Sequence, residues 1–297
     1  MNPVQAKAGA PAATSPMSDG RTIAARLEFA RDASGRTFLQ RARTPYPFHI
    51  TRPFRLPGDL PGMATLYLQS AAGGVYAGDA LSLDVSAAPA TAAHVTTQAS
   101  TIVHAARTPD GAPARVTTRI EVGSDALLEW LPEPTILLAD ARLDSRTEVV
   151  LADGAVALVG EALLTHAPWD AGGTFDLFDG TLDARTADGQ RIACDRMRID
   201  GRAWRDGGAA AMGGARAQAV LFALGRPAGT DDLARLRDAV ERAAPAAYAG
   251  VSALRGDRGW CARVIAGDAV GLRRATDALW RTAREILTGR LPPGRPK

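Results

Sequence analysis

The 297-residue chain is 46% hydrophobic but only 5% aromatic, so Ala, Val and Leu must fill most of a sizeable core. Its formal charge of +3 comes almost wholly from arginines spread along the chain, with Lys7 and Lys297 the only lysines. That spread argues against a dedicated nucleic-acid stripe, and arginine suits carboxylate pairing at protein interfaces.

In chain order, residues 1–20 are rich in Ala, Pro and Ser and lack the apolar segment of a secretory signal. They read as a disordered leader. The body that follows, residues 21–297, reads as a single mainly β domain, a stacked β-helix-like or sandwich scaffold with two C-terminal helices. Leu81, Leu83 and Val85 alternate with polar residues, as do Ile120 with Val122 and Phe175 with Leu177. Period two with one apolar face predicts half-buried strands. Asp153-Gly154, Asp179-Gly180, Asp188-Gly189 and Asp200-Gly201 have the chemistry of tight turns.

The segments LSLDVSAAPATAAHVTTQA, TRIEVGSDALLEWLP and EVVLADGAVALVGEAL share a strand–turn–strand design, as stacked coils would. An irregular β-sandwich could produce the same echo. Near the end, helices are expected at about 231–243 and 268–288, flanking a hairpin whose turn is RGDRG. No apolar run approaches the ~20 residues of a membrane span. Cys194 and Cys261 have no nearby partner, which argues against a disulfide framework and is compatible with a reducing compartment.

The chemistry-bearing stretches are few. GGVYAGD (73–79) lacks the Lys-Ser/Thr and the following helix of a phosphate loop, so it reads as a strand-reversing turn with Asp79 as a candidate carboxylate. His49, His94, His104 and His166 show no metal-ligating spacing and read as ordinary surface or strand histidines. Within LLEWLPEPTILL (127–138), Glu129 and Glu133 interrupt an apolar run, and Pro132 and Pro134 should make a corner. Glu161 lies in another apolar strand. Two readings stay open for these carboxylates: ion pairs or solvated corners, and the polar lining of an interior passage.

Taken together, RPFRLP near Arg52, GGVYAGD, TTQAST at 96–101, LEWLPEPTIL and the C-terminal LRRATDALWRTAREILTGRLPPGRP resemble the urease accessory protein UreD (UreH) family. The resemblance runs from about residue 22 to the end. It implies a cytoplasmic, non-enzymatic scaffold that binds UreF, UreG and the urease structural subunits, and leaves room for a homodimer of that complex. It implies no nucleic acid, no membrane and no permanently bound cofactor. Nickel(II) in transit through an internal passage is the implied cargo, with Asp79, Thr97, Glu129, Glu133 and Glu161 the implied path residues. Oxygen ligands suit an ion that must be released. Where the family has LPQETI this chain has LPEPTI, so a carboxylate stands one place earlier, at Glu133. A lone subunit with exposed partner surfaces is expected to be poorly soluble. The competing readings are a carboxylate-dependent β-fold hydrolase, with Glu129 and Glu161 or Asp79 as acid and base, and a metal-independent interaction module.

Overall fold

A computed structural model describes residues 20–105, 111–166, 173–206 and 212–295. The expected leader lies outside these residues apart from Gly20, which is pressed against the Gly78 carbonyl. The described residues form β1 (Thr22–Arg31), β2 (Thr37–Arg43), β3 (Phe48–Ile50), β4 (Ala64–Ser70), β5 (Ala80–Ala87), β6 (Ala92–Thr97), β7 (Thr101–Val103), β8 (Ala114–Val122) and β9 (Leu127–Trp130). There follow β10 (Thr135–Leu138), β11 (Arg142–Leu151), β12 (Val156–His166), β13 (Leu177–Thr186), β14 (Arg191–Asp200), β15 (Ala217–Leu224), β16 (Tyr248–Ala253) and β17 (Gly259–Ala266). The helices are α1 (Gly201–Asp206), α2 (Thr230–Ala243) and α3 (Ala269–Thr288).

The chain alternates between two sheets as it advances. The first sheet runs β14-β13-β11-β8-β5-β1-β2 and the second β16-β17-β15-β12-β9-β6-β4-β3, with β10 joining β12 to β7. From β4 to β13 all pairings between successive coils are parallel. The three echoing segments are therefore successive coils, β5–β6, β8–β9 and β11–β12. Val85, Ile120 and Val149 stack in one sheet, and Leu66, Val95, Trp130, Val159 and Phe222 in the other. These side chains face inward and form the core between the sheets. Period-two alternation buries one face of every strand without any precise repeat length, which is why the sequence echo is irregular.

A second core lies outside the second sheet, where α2 and α3 cover it. Leu236 and Val240 of α2 and Leu272, Ala275, Leu279, Ala283 and Leu287 of α3 are buried there. Asp268 caps α3 by accepting the Gly271 N–H at 2.7 Å, and Gly289 ends it at φ 72°, the left-handed turn that glycine adopts without strain. β16 and β17 form the expected hairpin, with the RGD segment in its turn.

Three local readings are corrected. GGVYAGD does not fold a strand back on its neighbour; it carries the chain from β4 in one sheet to β5 in the other. Only its end is a tight turn, closed by Asp79 N–H to Tyr76 O at 3.0 Å with Gly78 at φ 83°. Asp179-Gly180 lies inside β13, and Asp200-Gly201 opens α1, where the Asp200 carboxylate accepts the Ala203 N–H. Phe175 and Leu177 do not share a strand face: Phe175 precedes β13 and packs edge-on to Trp204, while the inward face of β13 starts at Phe178.

Candidate functional site

The second sheet is split where its strands turn a corner. Val95, Trp130 and Val159 align on one side of the split, and Thr101, Thr135 and Leu163 on the other. Five residues (96–100) span it in the first coil, four (131–134) in the next, and three (160–162) in β12, which runs straight through. Pro132 and Pro134 make the second corner by withholding ladder N–H groups. A cavity of about 390 Å³ lies between the sheets at this corner, lined in part by these spanning residues.

Exposed Gln98 and Ala99 stand at its mouth, and Glu161 lies on its inner wall. At about 30 Å³ per water, an octahedral ion with six waters needs roughly 200 Å³, so this space admits a hydrated divalent cation. A second cavity, of about 20 Å³, shares Thr147, Gly160 and Glu161 with the first and is also lined by Asp195. It has room for one water and for no hydrated ion.

Three of the five sequence-derived candidates meet at the main cavity: Thr97, Glu133 and Glu161. Thr97 Oγ1 accepts the Glu133 backbone N–H at 2.9 Å, so this hydroxyl pins the proline corner. Glu161 accepts from Ser145 Oγ at 2.8 Å. Enclosure by protein raises its carboxyl to about 7; the Ser145 hydrogen bond opposes this, and the charge of Asp195 adds to it.

Asp79 and Glu129 are placed elsewhere. Asp79 is buried and accepts from the Arg21 backbone N–H, the Arg21 guanidinium and the Tyr76 N–H. Burial works to raise its pKa, but these donors together outweigh it and hold it low. Arg21 also donates to Gly74 O and lies over the Tyr76 ring, which stacks on His104, so the pair ties the start of β1 to the corner.

Glu129 points out of the second sheet, toward α3, on the face opposite to Glu161. One carboxylate oxygen accepts from Arg284 Nε at 2.5 Å. The other accepts from Arg284 Nη2 at 2.5 Å and Trp280 Nε1 at 3.0 Å, and lies 2.6 Å from His94 Nδ1. Arg284 reaches on to Asp59 at 2.6 Å. Burial alone would raise the Glu129 pKa; Arg284 and His94 reverse the sign and hold it far below the usual carboxylate range. His94 is kept neutral chiefly by burial. It is therefore a core histidine rather than a surface or ordinary strand one. Because Glu129 and Glu161 face opposite sides of one sheet, they do not form the acid–base pair of the hydrolase reading.

The ion-pair reading thus describes Asp79 and Glu129, and the interior-lining reading describes Glu133 and Glu161. Sequence reasoning missed the roles of Arg21, His94, Arg284 and Ser145. Arg284 lies 155 positions from Glu129, and no local pattern announces such a pairing. Among the described residues, no group of three or more His, Cys, Asp or Glu could hold a metal ion. No helix there is long and apolar enough to cross a membrane.

Residues 21–296 match the family model described as UreD urease accessory protein. The chain belongs to the UreD urease accessory protein family. It is 41% identical over 290 residues to urease accessory protein UreD 1 of Methylorubrum populi, covering 96% of this chain and 95% of the relative. Identity is 42% over 282 residues to UreD 1 of Methylorubrum extorquens, covering 94% and 92%, and 37% over 273 residues to UreD 1 of Pseudomonas syringae pv. syringae, covering 92% and 95%. These UreD relatives are named as accessory proteins, and the match spans both sheets, the corner region and α3.

Proposed function

We propose that this UreD-family chain is a cytoplasmic, non-enzymatic scaffold in urease maturation. It binds UreF and UreG and docks on apo-urease, and nickel(II) passes through its interior on the way to the urease active site. The observation that supports this reading is the 390 Å³ cavity between the sheets, open at Gln98 and Ala99 and bordered by Glu133 and Glu161. Its polar side chains are carboxylates, hydroxyls and the amides of Gln69 and Gln98, whose oxygens bind a divalent ion loosely and release it, whereas a His/Cys cage would retain it. In this reading Glu133 and Glu161 meet the ion, Thr97 shapes the corner, and Asp79 and Glu129 hold the wall that encloses the cavity.

Co-expression with urease subunits, UreF and UreG tests the scaffold reading. The chain is expected to co-purify with UreF and UreG and to be required for urease activity after nickel addition. Full activation in its absence, or no association with these proteins, overturns the reading.

A further inference from the structure

The carboxylate candidates Asp79, Glu129 and Glu161 have two kinds of partner. Asp79 and Glu129 are neutralised by arginines, which fill the space a cation would need. Glu161 is held instead by the neutral hydroxyl of Ser145, and among the described residues no cationic side chain forms an ion pair with it. The surrounding backbone supplies little else: Gly160 and Ala162 flank it on β12, and Pro132 in the adjoining corner has no N–H.

Ser145 on β11 pairs directly with Gly180 on β13, so the two lie side by side on the sheet facing Glu161. At Gly180 a β-carbon would come within 2.6 Å of the Phe178 ring and 3.4 Å of Glu161 Oε2. Glycine there leaves room for the Phe178 ring, and Ser145 fixes one carboxylate oxygen of Glu161. A glutamate side chain left without that bond would spread over several rotamers, each aiming its charge differently.

We propose that Ser145 is a positioning residue that holds Glu161 as the innermost cation-receiving group of the cavity, an inference that rests on the passage reading above. The test is calorimetric titration of nickel(II) alone into the full chain, with circular dichroism and thermal melting of every variant. Ser145→Ala is expected to weaken nickel binding about tenfold, the loss of one charge-assisted hydrogen bond. Ser145→Thr, which keeps the hydroxyl, is expected to restore it.

If Ser145→Ala binds nickel like the wild type while Glu161→Gln does not, the positioning role is overturned and the passage reading stands. A threonine that fails to rescue, or an affinity loss that tracks a lower melting temperature, also overturns it, because the role is then merely structural. If the wild-type chain binds no nickel, the passage reading falls and this inference falls with it.

Discussion

Glu161 and Glu129 are both glutamates inside apolar strands, yet their surroundings drive their pKa values in opposite directions. Burial with one hydroxyl partner raises Glu161 from 4.5 to about 7, while burial with a guanidinium fork leaves Glu129 ionised. The consequence for stability has a definite sign. A carboxyl whose folded pKa is raised contributes stability that is fully present below its unfolded pKa and is lost as pH rises through the folded value. Above pH 7 the folded chain therefore holds an ionised Glu161 at a cost. Glu161→Gln should make the protein more stable than wild type at pH 8, by about 1–2 kcal/mol once hydration of the cavity discounts the full shift. The gap should close below about pH 4.5. Urea unfolding at the two pH values checks this; equal stability at pH 8 would mean that the site is solvated like any surface carboxylate.

At the scale of elements, the Glu129–Arg284 bond fastens α3 to β9, and Trp280, His94 and Asp59 complete the network. Both charges are almost wholly inaccessible to solvent, at 0% and 1% side-chain exposure, so removing either strands the other in the interior. Glu129→Ala or Arg284→Ala should each cost about 3–5 kcal/mol of stability. The double variant Glu129→Leu with Arg284→Met should recover much of that loss, since well-packed apolar residues often replace a buried pair without penalty. Chemical denaturation of the three variants decides it; single variants as stable as wild type would show that the pair is hydrated.

Much at this scale was readable in the sequence. The strands of β5 and β8, both long helices, the hairpin turn and the proline corner follow from period, caps and breakers near one another in the chain. The unreadable parts were set by distant contacts. Asp179-Gly180 has turn chemistry, yet the ladder between β11 and β13 absorbs it, and a side chain at 180 would collide with the Phe178 ring. Glu129 and Glu161 look alike in sequence, and only the parity of each strand against its sheet sends one toward α3 and the other into the cavity.

For the whole molecule, winding the chain between two sheets does two things at once. It stacks coils over a continuous core, and it lets surplus corner residues accumulate along one line, at a cavity whose largely apolar wall carries hydroxyls and the carboxylates of Glu133 and Glu161. The outer face of the first sheet remains charged and self-paired, with Arg26, Asp84, Arg119 and Glu148 linked across four strands. Exposed pairs of this kind add little stability but keep a broad sheet face from presenting apolar surface.

The central claim is that nickel moves through this cavity past Glu133 and Glu161. The most direct measurement is urease activation by nickel in cells co-expressing urease, UreF, UreG and the Glu133→Gln plus Glu161→Gln double variant, with complex assembly followed by pull-down in the same cells. The account predicts an intact complex and a large loss of activation. Normal activation by an intact complex carrying the double variant would contradict it.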